Sequence, residues 1–239
     1  MTRPLSLLAA CALALASVLV ACSGGKTVVG TGPMIDDQRA LTPFNEVTVE
    51  APIDVTIDYG SAQQVNVYAQ GQILPYISTE VKGDRLTVRT TGNVKMDDGT
   101  NVKIILPALE AVANDGPGDV RVDGFKGDKL EVTLTGPGDL VATGLTYDDI
   151  KATNDGAGNL ELEGSAEDVQ YDLDGPGDLN ARRLMSKKAK VNNKGAGNMS
   201  LAVSDDLKAN IKGAGDIDYS GQPKVDLTDD GAGSLKGDN

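Results

Sequence analysis

The sequence has no histidine and no tryptophan, two cysteines, and only 6 tyrosines and 2 phenylalanines in 239 residues. Each scarcity removes some chemistry. Without histidine, a Ser-His-Asp triad, a Cys-His pair and the usual zinc sites cannot be assembled. With so few aromatics, a thick globular core loses its main source of buried volume. The chain is filled instead by 29 glycines and by Asp, Asn, Val and small apolar residues, which suits a thin β structure with many turns. Its formal net charge of −13 repels nucleic acid and bare anionic lipid, so no nucleic-acid partner is expected.

Both cysteines lie near the N-terminus. Arg3 gives that end a positive charge, and Leu5 to Val20 is an apolar run without a charge, short for a membrane span. The run ends in Leu19-Val20-Ala21-Cys22, which resembles the bacterial lipobox, whose cysteine becomes the acylated first residue of the mature protein. An ordinary signal peptide cleaved near Ala21 is the alternative. On the lipobox reading, residues 1–21 are a lipoprotein signal peptide, Cys22 is the lipidation site and the membrane partner, and residues 22–42 are a polar, flexible tether. Acyl chains contribute about 0.8 kcal/mol per buried CH₂, and two or more anchor stably. Cys11 then leaves with the signal and Cys22 is blocked, so no disulfide, Cys-ligated metal or Cys nucleophile is expected. Ser23 directly after the cysteine points, under the Gram-negative sorting rule, to the outer membrane; the expected location is the cell envelope.

The rest of the chain repeats itself. Gly-Pro/Ala-Gly-Asp/Asn/Ser occurs seven times, beginning at Gly116, Gly136, Gly156, Gly175, Gly195, Gly213 and Gly231, with spacings of 20, 20, 19, 20, 18 and 18 residues. The residue after each copy is apolar: Val120, Leu140, Leu160, Leu179, Met199, Ile217 and Leu235. Alternation continues from there, as in Leu160-Glu161-Leu162, and a second alternating segment such as Leu130-Glu131-Val132-Thr133-Leu134 precedes each motif. Each repeat is therefore a strand, a Gly turn, a strand and a looser turn. Neither strand can bury its apolar face alone, so repeats must stack.

This gives an all-β fold, a right-handed parallel β-helix or β-solenoid with rungs of about 20 residues over 113–239. Residues 43–112 contain alternating runs without the Gly motif and read as less regular β strands that cap the column on the N-terminal side or run continuously with it. Gly supplies either positive φ or room for close approach between rungs, and the following Asp or Asn is expected to cap its own turn. One position, two before the motif, alternates along the repeats: Asn114, Leu134, Asn154, Leu173, Asn193, Ile211, Asp229. Either Asn bonds between rungs in a narrow lumen, or the unit is a double repeat of about 40 residues, for which an antiparallel β meander is the topological alternative.

From Phe44 to Leu235 the sequence resembles the auto-transporter adhesin head, or GIN, domain family. The resemblance rests on Phe44-Asn45-Glu46-Val47-Thr48-Val49, on Ile53-Asp54-Val55-Thr56-Ile57, on Val102 to Leu109 leading into the first Gly-Pro-Gly-Asp, and on Gly213-Ala214-Gly215-Asp216-Ile217. It implies β-helical architecture, an envelope location and no enzymatic activity.

The residues themselves offer little reactive chemistry, and no catalytic, cofactor or metal residue is assigned. Paired carboxylates of a polysaccharide-acting β-helix enzyme are one alternative. The column Asp119, Asp139, Asn159, Asp178, Asn198, Asp216, Ser234 could bind calcium in a calcium-stabilised surface protein, although turn capping is favoured. Arg182-Arg183 and Lys187-Lys188 form a basic patch that balances nearby acids or meets an anionic glycan or headgroup. The function expected is a non-catalytic, lipid-anchored envelope protein that presents its solenoid surface for adhesion to an envelope glycan or protein.

Overall fold

Val, Leu and Ile at every second position leave each short segment with one face that must be buried, and copies about 20 residues apart bury it against one another. In the computed structural model, which describes residues 27–96 and 99–238, those copies stack in parallel. Leu140 pairs with Leu160, Leu160 with Leu179, Leu179 with Met199 and Met199 with Ile217. All five are at most 1 % exposed. Each such side chain contributes about 1.5–3 kcal/mol by leaving water. The fold is a β-solenoid of about six turns with an N-terminal mixed half-barrel sheet. Parallel pairing from rung to rung rules out the antiparallel meander.

The looser turn is more structured than its sequence suggests. Strand pairing runs through it, so that Leu140–Asn154 and Leu179–Asn193 are continuous strands of 15 residues. Phe125, Leu145, Tyr147 and Leu184 bury a third inner face there. Each rung thus has three sides around one core, and Tyr147 closes the third side by donating its hydroxyl to the Leu109 carbonyl at 2.8 Å.

The N-terminal region is more than a cap, because it supplies two layers of the column out of sequence order. Glu46–Val49 pairs with Ala111–Asn114, and Asp54–Tyr59 with Val120–Asp123. On its other side the 46–59 layer is covered by Arg85–Thr90 and Asn101–Leu106. Beyond that, the antiparallel strands Ile77–Lys82, Gln64–Gln70 and Met34–Gln38 complete the end of the column. Val28–Val29 also pairs, with Val94–Lys95. The expected flexible tether to residue 42 is therefore already strand from Val28: Ile35 and Asp37 take their register from Ala69 and Val67, and Arg39 N–H bonds the Val65 carbonyl. Cys22 and the signal segment lie outside the described residues. Among the described residues, no helix is long and apolar enough to cross a membrane.

One consequence is a ladder running the full length of the column. It starts at Met34–Gln38 and passes through 64–70, 101–106, 54–59, 120–123 and one strand from each later rung to Leu235–Asp238. Eleven strands at about 4.8 Å spacing separate its ends by about 48 Å.

Candidate functional site

The Gly motif forms one corner of the rung. The corner glycines are absent from the positive-φ positions, so conformational freedom is not why they are needed. Close approach is. A Cβ on Gly138 would lie 2.2 Å from the Gly118 carbonyl oxygen, and one on Gly158 would lie 2.1 Å from that of Gly138. Backbone stacks directly on backbone here, and no side chain fits between.

The residue after each corner serves the next rung rather than its own turn. Asp119 Oδ1 accepts the N–H of Asp139 at 3.0 Å, Asp139 Oδ1 that of Asn159 at 2.7 Å, and Asp178 Oδ1 that of Asn198 at 2.7 Å. The chain of bonds begins one rung earlier than the motif, with Asp54 accepting from Asp119, and ends with Asp216 accepting from Ser234. One oxygen of each carboxylate is thus used inside the fold, to cap the next rung. No cluster of three or more potential metal ligands occurs among the described residues. Hydrogen bonds from Ser234, then from Lys236, hold the Asp216 carboxyl below its usual range.

Inside the same corner the alternating Asn column has a simple geometry. Asn154 is fully buried; its Nδ2 donates to the Gly158 carbonyl of its own rung and to the Asp178 carbonyl of the next, both at 3.0 Å, while Oδ1 accepts from Gly156 N–H at 3.1 Å. Asn114 does the same for Gly118 and Asp139, with Gly116 N–H on its Oδ1, whereas Asn193 donates to the Gly197 and Gly215 carbonyls and its Oδ1 accepts no bond among the described residues. One amide has two N–H groups and serves two corners, so the rung between needs none and carries Leu134, Leu173 or Ile211. Of the two explanations open from sequence, bonding between rungs holds.

The exposed side of the column carries a groove of about 1080 Å³, running beside the strands that precede the corners. Two ladders of charge line it. One is Lys129, Asp149, Asp168, Lys188 and Asp206, each paired in register with the next; the other is Glu131, Lys151, Gln170, Lys190 and Lys208. Buried Leu130, Ile150, Val169 and Ala189 separate them. Lys151 bridges to Glu131 at 2.7 Å, and this hydrogen bond and the carboxylate charge raise its pKa. Neither Lys188 nor Lys190 makes an ion pair among the described residues; Lys188 stands in register between Asp168 and Asp206, whereas Lys190, between Gln170 and Lys208, has no carboxylate beside it in its ladder. Sequence reading missed this site, although its residues recur at the motif's own spacing of 18 to 20 and aligning whole repeats would have exposed it.

The basic patch does not stay together. Arg182 pairs with Asp238 at 2.6 Å, Arg183 with Glu161 and Glu163, and Lys187 with Glu167 at 2.6 Å, whereas Lys188 belongs to the groove. Carboxylates meet on adjacent rungs at Asp149 and Asp168 in the groove, and at Asp155 beside Asp174 at the corner. Partial desolvation, then the Asp174 charge, raises the Asp155 pKa, with Lys194 opposing. Lys194 bridges Asp174 at 3.1 Å, and Asp155 is exposed on a flat corner rather than in a cleft.

Residues 43–223 match the family described as "Putative auto-transporter adhesin, head GIN domain". The chain belongs to this family. Solved structures share the GIN-domain fold. A putative adhesin from Bacteroides fragilis superposes with a TM-score of 0.85 at 22% identity, covering 88% of this chain and 100% of that one. A putative lipid binding protein from Parabacteroides distasonis gives 0.76 at 19%, covering 90% and 100%. A putative adhesin from the same organism gives 0.71 at 24%, covering 89% and 100%. No curated protein matches the sequence. None of these three relatives has an enzyme's name, and at these identities the likeness is one of fold.

Proposed function

We propose that this GIN domain is a non-catalytic adhesive column, held to the cell envelope by acyl groups on Cys22 at the outer membrane, and that its lysine-bearing groove is the contact surface. The observation that carries this reading is the groove. It offers a partner two registered ladders of charge over five rungs, with no nucleophile-and-base pair inserted into the repeat. An extended polymer that carries acidic groups at intervals suits it: the groove sets six lysines among seven carboxylates, with Lys190 between Gln170 and Lys208, and no aromatic platform lines it for a neutral sugar to stack on. Membership of an adhesin family supports the same reading.

Two experiments test it. Incubated with acidic glycans, the purified domain retains the polymer without shortening it; release of new reducing ends would overturn the non-catalytic reading. In cells, the wild-type chain fractionates with membranes and enters the detergent phase, whereas Cys22→Ser does not. Equal partitioning of the two would remove the anchor.

A further inference from the structure

The column has two unlike ends, and the apolar surface of one is unaccounted for. Among the described residues, eight large hydrophobic side chains are exposed, and four of them gather at the end formed by the outermost strand. Met34 and Ile35, 38 % and 45 % exposed, lie on opposite faces of that edge strand; Tyr68, 39 %, is on its pairing partner on the face of Met34; Val29, 50 %, is separated from the strand by four residues and stands in register with Lys95. Single exposed apolar residues need no explanation, but a group confined to one tip does.

The position of Cys22 supplies the occupant. Five residues separate Cys22 from Val28, and the six extended steps between them span at most about 22 Å. The expected 21-residue tether would have let the domain float free. A chain that is already strand at Val28 brings Val29, Met34 and Ile35 within reach of whatever surface holds Cys22. Asp36 and Asp37 on the same strand remove any attraction to anionic headgroups, which leaves apolar contact as the driving force.

We infer that the tip formed by Val29, Met34, Ile35 and Tyr68 rests in the interfacial region of the bilayer, so that the column stands on the membrane with Leu235–Asp238 about 48 Å away. This rests on acylation of Cys22 and adds an orientation to it. A standing column also keeps the groove clear of the lipid and open along its length.

Because the chain has no tryptophan, a single introduced one reports depth. Full-length acylated Ile35→Trp and Leu227→Trp, the latter replacing a 44 % exposed residue of the last rung, are placed in phosphatidylcholine vesicles with plain or brominated acyl chains. Ile35→Trp loses most of its emission to the brominated lipid and Leu227→Trp keeps its own, unchanged by added salt. Equal emission of the two variants in vesicles that carry the protein on flotation would overturn the docking while leaving the anchor intact. Protein that fails to float would overturn the anchor and the orientation with it. Should Ile35→Trp misfold, Tyr68→Trp reads the same tip from the neighbouring strand.

Discussion

Replacing Asn154 by Asp changes one NH₂ group into an oxygen, keeps the side-chain volume, and tests the inter-rung amide bonding directly. In the wild type both Nδ2 hydrogens are used, on the Gly158 and Asp178 carbonyls, in a position that is fully buried. In Asn154→Asp an ionised carboxylate would face those two carbonyl oxygens with no cation near. Burial of this kind raises a carboxyl pKa by about 3–5 units, and at about 1.36 kcal/mol per unit the full cost is about 4–7 kcal/mol, of which about 4 kcal/mol is felt at neutral pH. The sign with pH follows from linkage. The folded variant binds the proton more tightly than the unfolded chain, so its deficit is full above the raised folded pKa. The deficit shrinks as pH falls from there toward the ordinary carboxyl value. Below that a residual of about 1–2 kcal/mol remains, because a protonated carboxyl has one hydrogen for two acceptors. For a domain of this size each kcal/mol moves Tm by about 2–4 °C, so melting at pH 7.5 should fall by at least about 10 °C, and the gap to wild type should narrow severalfold at pH 4.5. A deficit that is small, or the same at both pH values, would refute the proposed role of the Asn column.

Three further outcomes are expected. Gly158→Ala, whose Cβ would sit 2.1 Å from the Gly138 carbonyl oxygen, should abolish cooperative unfolding by circular dichroism, whereas Ala157→Ser on the exposed middle of the same corner should leave it unchanged. Tyr171→Phe should raise stability by about 1 kcal/mol in urea titration, since its fully buried hydroxyl has no hydrogen-bond partner, whereas Tyr147→Phe should lower it by a similar amount through loss of the bond to Leu109. Chelator should leave Tm unchanged, because backbone N–H groups of the next rung already engage one oxygen of each corner Asp and the rungs are joined without a metal.

The regular rungs could be read from the sequence because their signal is local: a Gly-x-Gly corner flanked by two-residue alternation survives in all seven copies. The layer at 46–59 was not recognised as a rung because its corner is Ala51-Pro52-Ile53-Asp54, a version of Gly-Pro-Gly-Asp that has side chains in place of both glycines. Those side chains are tolerated because the layer beyond connects Thr90 to Asn101 through a longer loop instead of a tight corner lying directly below. The order of layers, with 46–59 between 85–106 and 111–123, is non-local and leaves no mark on any one segment. The same holds for the polar stretch 27–42, where Met34–Gln38 has no apolar alternation and becomes a strand only because Gln64–Gln70 offers it an open edge. The Asn column was visible as a pattern, but its cause was not, since each amide bonds a carbonyl about two dozen residues away. The groove escaped for a related reason: Lys188 and Lys190 look like part of a basic run, and only the register separates them from the paired Lys187.

Adhesion through the groove is tested most directly by retention of particles carrying the acylated protein on an acidic-glycan surface, with wild type compared to Lys188→Glu/Lys190→Glu. Both side chains are exposed; Lys188 stands in register between Asp168 and Asp206, so the double variant should lose about 1–2 kcal/mol to like-charge stacking and stay folded by circular dichroism. Retention should fall to the level of bare particles, and wild-type retention should weaken as salt is raised. Undiminished retention by the folded double variant would contradict the assignment of the groove as the contact surface.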